Sequence, residues 1–293
     1  MAVNNSLQKK QKPTLGAYLT KDAVKSKINE IVGGKDGQRF ISAIVSATTA
    51  NPALQQCDNG SILSAALLGE SLKLSPSPQL GQYYLVPFND KDKGKVAQFQ
   101  LGYKGYIQLA IRSGQYKKLN VLAIKEGELI RFDPLNEEIE VKLIEDEDER
   151  EAAATIGYYA FFEYINGFRK AIYWSKKKME AHALKYSQGY AADKKKGTSW
   201  TFWSKDFDGM AYKTLLRQLI SKWGIMSVEM QTAIDADMAV INDDGSKKYV
   251  DAENNMEIEH ENVIDVEVKS ESVEEIPATE SDDVQQALFG DMQ

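Results

Sequence analysis

Apolar positions change period several times along this chain of 293 residues, and each change marks an expected element. In "GSILSAALLGESLKLSPSP", Ile62, Ala65, Ala66 and Gly69 recur at helical spacing, and the prolines that follow cannot continue a helix. The next runs, "QYYLVPF" and "KVAQFQL", alternate around the turn-rich "NDKDKG", which predicts a β-hairpin. In its second arm Ala97, Phe99 and Leu101 share one face and Gln98 and Gln100 the other. That arm runs directly into "LGYKGYIQLAIRSGQYKK", read as a short helix rich in rings, glycines and cations.

Further strands are expected in "LNVLAIKE", "ELIRF" and "EEIEVKLIE", and the acidic "EDEDERE" reads as a solvated loop. The clearest hairpin is "ATIGYYAFFEYINGFRKAIYWS", where Asn166-Gly167 suits a type I′ turn between two aromatic-rich runs. Ser175 stands where an N-cap should, ahead of "KKKMEAHALKYS". A flexible basic loop, "AADKKKGTS", is expected before the last strong helix, "DFDGMAYKTLLRQLISKWG". In that helix Met210, Ala211, Thr214, Leu215 and Leu219 form a packing face, and Lys213 and Arg217, four residues apart, are expected to emerge together on another side.

The pattern predicts an α+β protein, with β-hairpins forming a mainly antiparallel sheet packed with helices. Residues 1 to 35 read as an N-terminal arm with a role in oligomerisation, residues 36 to 232 as the core, and residues 233 to 293 as an acidic, largely disordered tail. Near its end Val284, Leu288 and Phe289 have helical spacing and form a candidate partner-binding motif.

Charge sharpens this division. Lys plus Arg outnumber Asp plus Glu by 33 to 25 over residues 1 to 230, whereas the balance is 3 to 18 over residues 231 to 293. Residues 165 to 222 alone carry 13 cations against 4 acids, so the net charge of -7 conceals a basic body suited to a polyanion. The tail is then a candidate competitor for the basic surface, and deleting residues 240 to 293 is expected to strengthen binding of the polyanion at low salt. Cys57 is the single cysteine, which rules out an intramolecular disulfide and a cysteine-rich zinc site. With no apolar run near the roughly 20 residues of a membrane span and no signal-peptide core, a cytoplasmic protein without a membrane partner is expected.

For chemistry, neither "GGKDG" nor "KKKGTS" has the spacing of a nucleotide-binding loop, and His182 and His260 stand alone. Carboxylates alone can hold Mg²⁺, so Asp206 and Asp208, with Glu163, offer a metal-dependent nuclease; they serve equally as helix caps. Lys205, Trp200, Phe202 and Trp203 interleave cations and rings, as single-stranded DNA requires, although such rings also pack in cores. Gly102 and Gly105 permit close backbone approach beside Lys104 and Tyr103, and Arg112, Lys117 and Lys118 extend the charge past Gly114.

From about Asn51 to Ser227 the sequence resembles the RecT family of phage single-strand annealing proteins. Three blocks carry the likeness in order and spacing: "NPALQQCDNGSILSAALLGESLKLSPSPQLGQYYLVPF", "FQLGYKGYIQLAIRSGQY" and "WSKDFDGMAYKTLLRQLISKWG". The resemblance implies ATP-independent binding of single-stranded DNA and annealing of complementary strands, rings or helical filaments of the protein, and a fold distantly similar to the Rad52 annealing domain. It also implies a partner phage exonuclease, with a host single-stranded DNA-binding protein as a candidate partner of the C-terminal region. No cofactor is implied, neither ATP nor a resident metal, and Mg²⁺ would at most modulate DNA binding. The DNA-binding positions carried over are Lys104, Arg112, Lys205, Lys213 and Arg217; Lys117 and Lys118 are added from charge, and Tyr103, Phe202 and Trp203 as rings that stack on bases or line a groove.

Overall fold

A computed structural model describes residues 13–242 and 244–249. Three helices come first, α1 (Leu15–Leu19), α2 (Asp22–Val32) and α3 (Gly37–Ala50), then a 3-10 turn at Pro52–Gln56 and α4 (Asn59–Ser71). The first hairpin, β1 (Tyr83–Asp90) and β2 (Gly94–Leu101), leads into α5 (Tyr103–Ser113). Next come β3 (Tyr116–Lys125), β4 (Leu129–Asp133), β5 (Glu138–Val141), α6 (Glu147–Ala152), β6 (Thr155–Tyr164) and β7 (Arg169–Ser175). The last part contains α7 (Lys176–Tyr186), α8 (Gln188–Lys196), α9 (Phe202–Lys205), α10 (Phe207–Trp223), α11 (Val228–Ala236), β8 (Ala239–Ile241) and β9 (Lys247–Tyr249).

The α+β class and antiparallel pairing are as expected, but the strands divide among three sheets, ordered β1-β2-β8-β9, β3-β6-β7 and β4-β5. Helix α4 packs on β2, with α2 and α3 against it from the chain's beginning. It is therefore buried on nearly every side, from Asn59 through Leu67 and again at Gly69. Its apolar residues run around the whole helix, as a central helix requires. Gly69 is needed there because a Cβ would lie 2.3 Å from Cζ of Tyr83. On the other side α10 packs against β3, β6 and β7 and also against α5, joining the first two sheets through one apolar core.

Several loops expected from composition are ordered by local chemistry instead. The acidic run forms α6, where Asp146 accepts a bond from Glu149 N at 2.8 Å and three further acids occupy the first turn, as the helix dipole favours. The supposed basic loop is mostly α8, closed by Gly197 at φ +66. In the β6-β7 connection only Gly167 has positive φ, at +86, so the type I′ turn, which needs two such residues, does not form. A bond from Tyr164 N to Phe168 O at 2.8 Å closes a three-residue loop in its place.

Both expected boundaries also shift. Leu19 and Ile28 are 0% exposed, so residues 13 to 35 pack into the body; residues 1 to 12 lie outside the described residues. At the other end, residue 233 falls inside α11, Ala233 and Ala236 are buried, and β8 pairs with β2 through Ala239 and Phe99. The body thus includes β8 and β9, and the acidic segment from 250 onward, with its apolar motif, lies outside the described residues. Among the described residues no helix is long and apolar enough to cross a membrane.

Candidate nucleic-acid interface

The cations singled out in sequence fall into four environments. Lys104 on α5 and Lys205 at the end of α9 are exposed. Lys117 and Lys118, at the start of β3, both face Glu163 of β6, at 2.5 and 3.7 Å. Arg112 reaches from α5 to the C-terminal end of α4, donating to Leu72 O at 2.7 Å, which closes a helix end whose carbonyls need donors.

Lys213 and Arg217 are the main departure, because they do not emerge from α10. Lys213 is 4% exposed and pairs with Oδ1 of Asp237 at 2.9 Å, while Arg217 meets Oδ2 of the same carboxylate at 2.9 Å. Asp237 also accepts from Leu101 N at 2.9 Å, tying the end of β2 to α10 and to the entry of β8. Burial depresses the Lys213 pKa despite the neighbouring carboxylate. For Arg217, the Tyr106 and Asp237 oxygens outweigh the same burial and raise its pKa. The two cations thus brace the core around an acid that the sequence reading assigned to the tail.

The glycines of the opening of α5 also have an internal reason. A Cβ on Gly102 would lie 2.1 Å from Gly81 O, and one on Gly105 would lie 2.2 Å from Gln82 O. Gly102 N donates to Gln82 O at 2.8 Å. The close approach is therefore between the helix start and the chain entering β1, and it leaves Lys104 on the surface.

Rings gather around a cleft of about 450 Å³ between the β1-β2 hairpin and the α7 to α10 segment, lined by residues that include His182, Tyr186, Trp200, Phe202, Lys205 and Met210. A smaller pocket adjoins it, sharing Gln100, Phe202 and Met210 and adding Tyr84, Tyr103 and Lys213. Phe202, 38% exposed, leans on Tyr84 with centroids 5.4 Å apart. Trp200 is 78% exposed. Tyr103 is half-buried, edge-on to Tyr212 at 5.6 Å, and Lys104 lies 6.0 Å from its centroid. Trp203 differs from these, since only 4% is exposed and it packs on Phe207 at 5.2 Å, so it supports the wall as a core residue. Trp200, Tyr84 and Tyr186 are the lining rings that sequence reasoning left out of its candidates. Trp200 alone had a signal, its place among cations and rings; the other two become visible only when distant segments meet.

The carboxylates considered for metal chemistry are otherwise engaged. Asp206 caps α10, accepting from Gly209 N at 2.9 Å, and Asp208 accepts from the Tyr158 hydroxyl at 2.6 Å, while Glu163 holds the two lysines of β3. Among the described residues no three His, Cys, Asp or Glu side chains group in a way that could hold a metal ion. The nuclease alternative has no support in this arrangement.

The chain matches the RecT family model over residues 38–255. It is 39% identical to an uncharacterized protein, YqaK, of Bacillus subtilis (strain 168), over 96% of this chain and 92% of that one. With Protein RecT of Escherichia coli (strain K12) it shares 33% identity over 68% of this chain and 71% of that one. The family match begins at the α3 helix and spans both the cleft and the Asp237 brace. Extent and identity agree with the three sequence blocks, and the chain belongs to the RecT family of single-strand annealing proteins.

Proposed function

We propose that this protein binds single-stranded DNA in the ring-lined cleft and anneals complementary strands without ATP. The observation that carries the reading is the exposure of Trp200 and Phe202 beside Lys205 over one cleft. Aromatic faces stack on any base, and cations follow the phosphates, so binding of this kind tolerates sequence and weakens with salt. Lys104 at the Tyr103 end and Lys185, 4.7 Å from the Tyr186 centroid at the other, extend positive charge along the same path.

Two free strands repel each other and fold on themselves. A basic cleft that screens phosphates while leaving base edges accessible lowers both barriers, and pairing supplies the driving force. Tighter binding of duplex than of one strand would complete annealing without a nucleotide cofactor, because differential affinity alone shifts an equilibrium. Mg²⁺ would act only on DNA binding. Subunits assembled as a ring or helical filament would join their clefts into one track, in a fold distantly akin to the Rad52 annealing domain. A phage exonuclease would supply the single strands, and a host single-stranded DNA-binding protein is a partner for the C-terminal region. Lys213 and Arg217 serve this reading as braces of the wall.

Energy transfer between two complementary labelled oligonucleotides, mixed without ATP at increasing salt, tests the proposal. Rapid, salt-sensitive pairing that Trp200→Ala plus Phe202→Ala slows is expected. A rate equal to that of protein-free DNA would overturn it.

A further inference from the structure

We infer that Asp193 is the positioning residue of the DNA cleft, holding the chain on both sides of Trp200 so that Trp200 and Phe202 stand ready to stack; the inference rests on the DNA-binding reading above. Asp193 lies on the last turn of α8, 4% exposed, where Gly197 ends the helix and the chain must return to start α9. Its Oδ1 accepts from the Thr198 hydroxyl at 2.6 Å. Its Oδ2 accepts from Trp200 N at 3.0 Å, Thr201 N at 2.8 Å, the Thr201 hydroxyl at 2.9 Å and the Ser204 hydroxyl at 2.8 Å. One carboxylate therefore gathers donors from 198 to 204, a stretch with a single short helix of its own.

The chemistry selects a charged acid at this point. A carboxylate offers acceptors alone on both oxygens; with an amide the Thr198 hydroxyl could turn to accept, but the bonds to the donors of 200 to 204 would lose their charge. The same donors hold the Asp193 carboxyl well below the usual carboxylate range, the Thr198 hydroxyl foremost. The anchor is therefore charged at every physiological pH.

Fixing this backbone sorts the rings that it carries. Trp203 is buried in the cleft wall against Phe207, whereas Trp200 and Phe202 stay exposed on the cleft side. A tryptophan 78% exposed on an unanchored loop would have to be ordered each time DNA bound. With its amide pinned, much of that ordering is complete beforehand, and binding is stronger for it.

The test uses the full chain with Asp193→Asn, Trp200→Ala and both together, measuring oligothymidine binding over a range of salt. Asp193→Asn is expected to weaken binding about tenfold at every salt, with the slope of log affinity against log salt unchanged. The double variant should bind no worse than Trp200→Ala alone, since both changes remove the same stacking. Fluorescence anisotropy without DNA, with Trp200→Phe as the reference, should show Trp200 more mobile in Asp193→Asn. Thr198→Val and Ser204→Ala, which each remove one donor, should repeat the effect more weakly and serve if Asp193→Asn fails to fold. Wild-type affinity in Asp193→Asn, additive losses in the double variant, or unchanged anisotropy would each overturn the positioning role. Should Trp200→Ala bind DNA like the wild type, the cleft itself has been misplaced, and both readings fall.

Discussion

Lys213 and Lys205 lie eight residues apart in one basic stretch, yet their surroundings give them opposite work. Lys205 stands on the rim of the cleft with its charge in water. Lys213 sits inside the wall with Arg217, sharing the two oxygens of Asp237. A cation in water can exchange its counterions for a phosphate, and the gain appears in the salt dependence of binding. A cation in the core has already lost its hydration and keeps its charge only through its partner, so its removal or that of its partner appears in stability. Net positive charge on a helix therefore does not by itself mark a DNA surface; the position of the nearest carboxylate decides.

The largest effect expected from this contrast is that of Asp237→Ala. It strands the buried Lys213, the partly buried Arg217 and the Leu101 amide, and should cost about 3 to 5 kcal/mol in urea unfolding. Lys104→Ala and Lys205→Ala should each stay within about 0.5 kcal/mol in the same experiment. A loss below about 1 kcal/mol for Asp237→Ala would mean that the brace is not what holds β2 to α10. Because Lys213 and Arg217 sit on this brace, a drop in annealing in Lys213→Ala plus Arg217→Ala would have to be separated from a drop in stability.

Next in size is the stacking contribution of Trp200. Trp200→Ala should weaken single-stranded DNA binding by about 1 to 3 kcal/mol with little change in salt slope or in unfolding. The reverse signature belongs to the rim cations. Lys104→Ala plus Lys205→Ala should flatten the plot of log affinity against log salt by about 0.7 for each phosphate that is no longer neutralised. An unchanged slope would place the phosphate path elsewhere on the body.

Much of the fold could be read from the sequence because it rests on local signals. The alternation in Tyr83–Asp90 and Gly94–Leu101, the spacing in α4 and the Ser175 cap each act within a few residues, and each marks an element that forms, although Gln98 is buried with its neighbours and α4 is covered all round. Composition misled where one buried partner outweighed it. The lysines of "AADKKKGTS" suggested a loop, but Asp193 among them gathers the following turn. Lys213 looked like a surface cation because its partner lies 24 residues onward, beyond a helix, in a segment whose acidity suggested a tail. Tyr84 and Tyr186 reach the cleft through tertiary contact alone, which periodicity does not record.

The smallest effect concerns the clip that holds β9, a half-exposed counterpart of the Asp237 brace. Lys248 reaches Asp90 at 2.9 Å and Asp92 at 2.8 Å, across from the turn of the first hairpin. The Lys248 ammonium, with the amides of Lys93 and Asp92, lowers the Asp90 pKa from 3.8 to about 2. Because the folded value is the lower one, the clip contributes its full stability above pH 3.8 and loses it as pH falls through about 2. Carbon-detected titration of the Asp90 carboxyl should give a midpoint near 2, which Lys248→Met should move back toward 3.8. Lys248 lines neither part of the cleft, so DNA binding at neutral pH should be unchanged. A loss of binding in Lys248→Met would instead show that the clip shapes the cleft through β8 and Met238. The same geometry redraws the tail deletion: a cut before residue 240 removes all of β8 but Ala239 and the whole of β9 along with the acids, whereas a stop after Tyr249 tests the acidic segment with both strands in place.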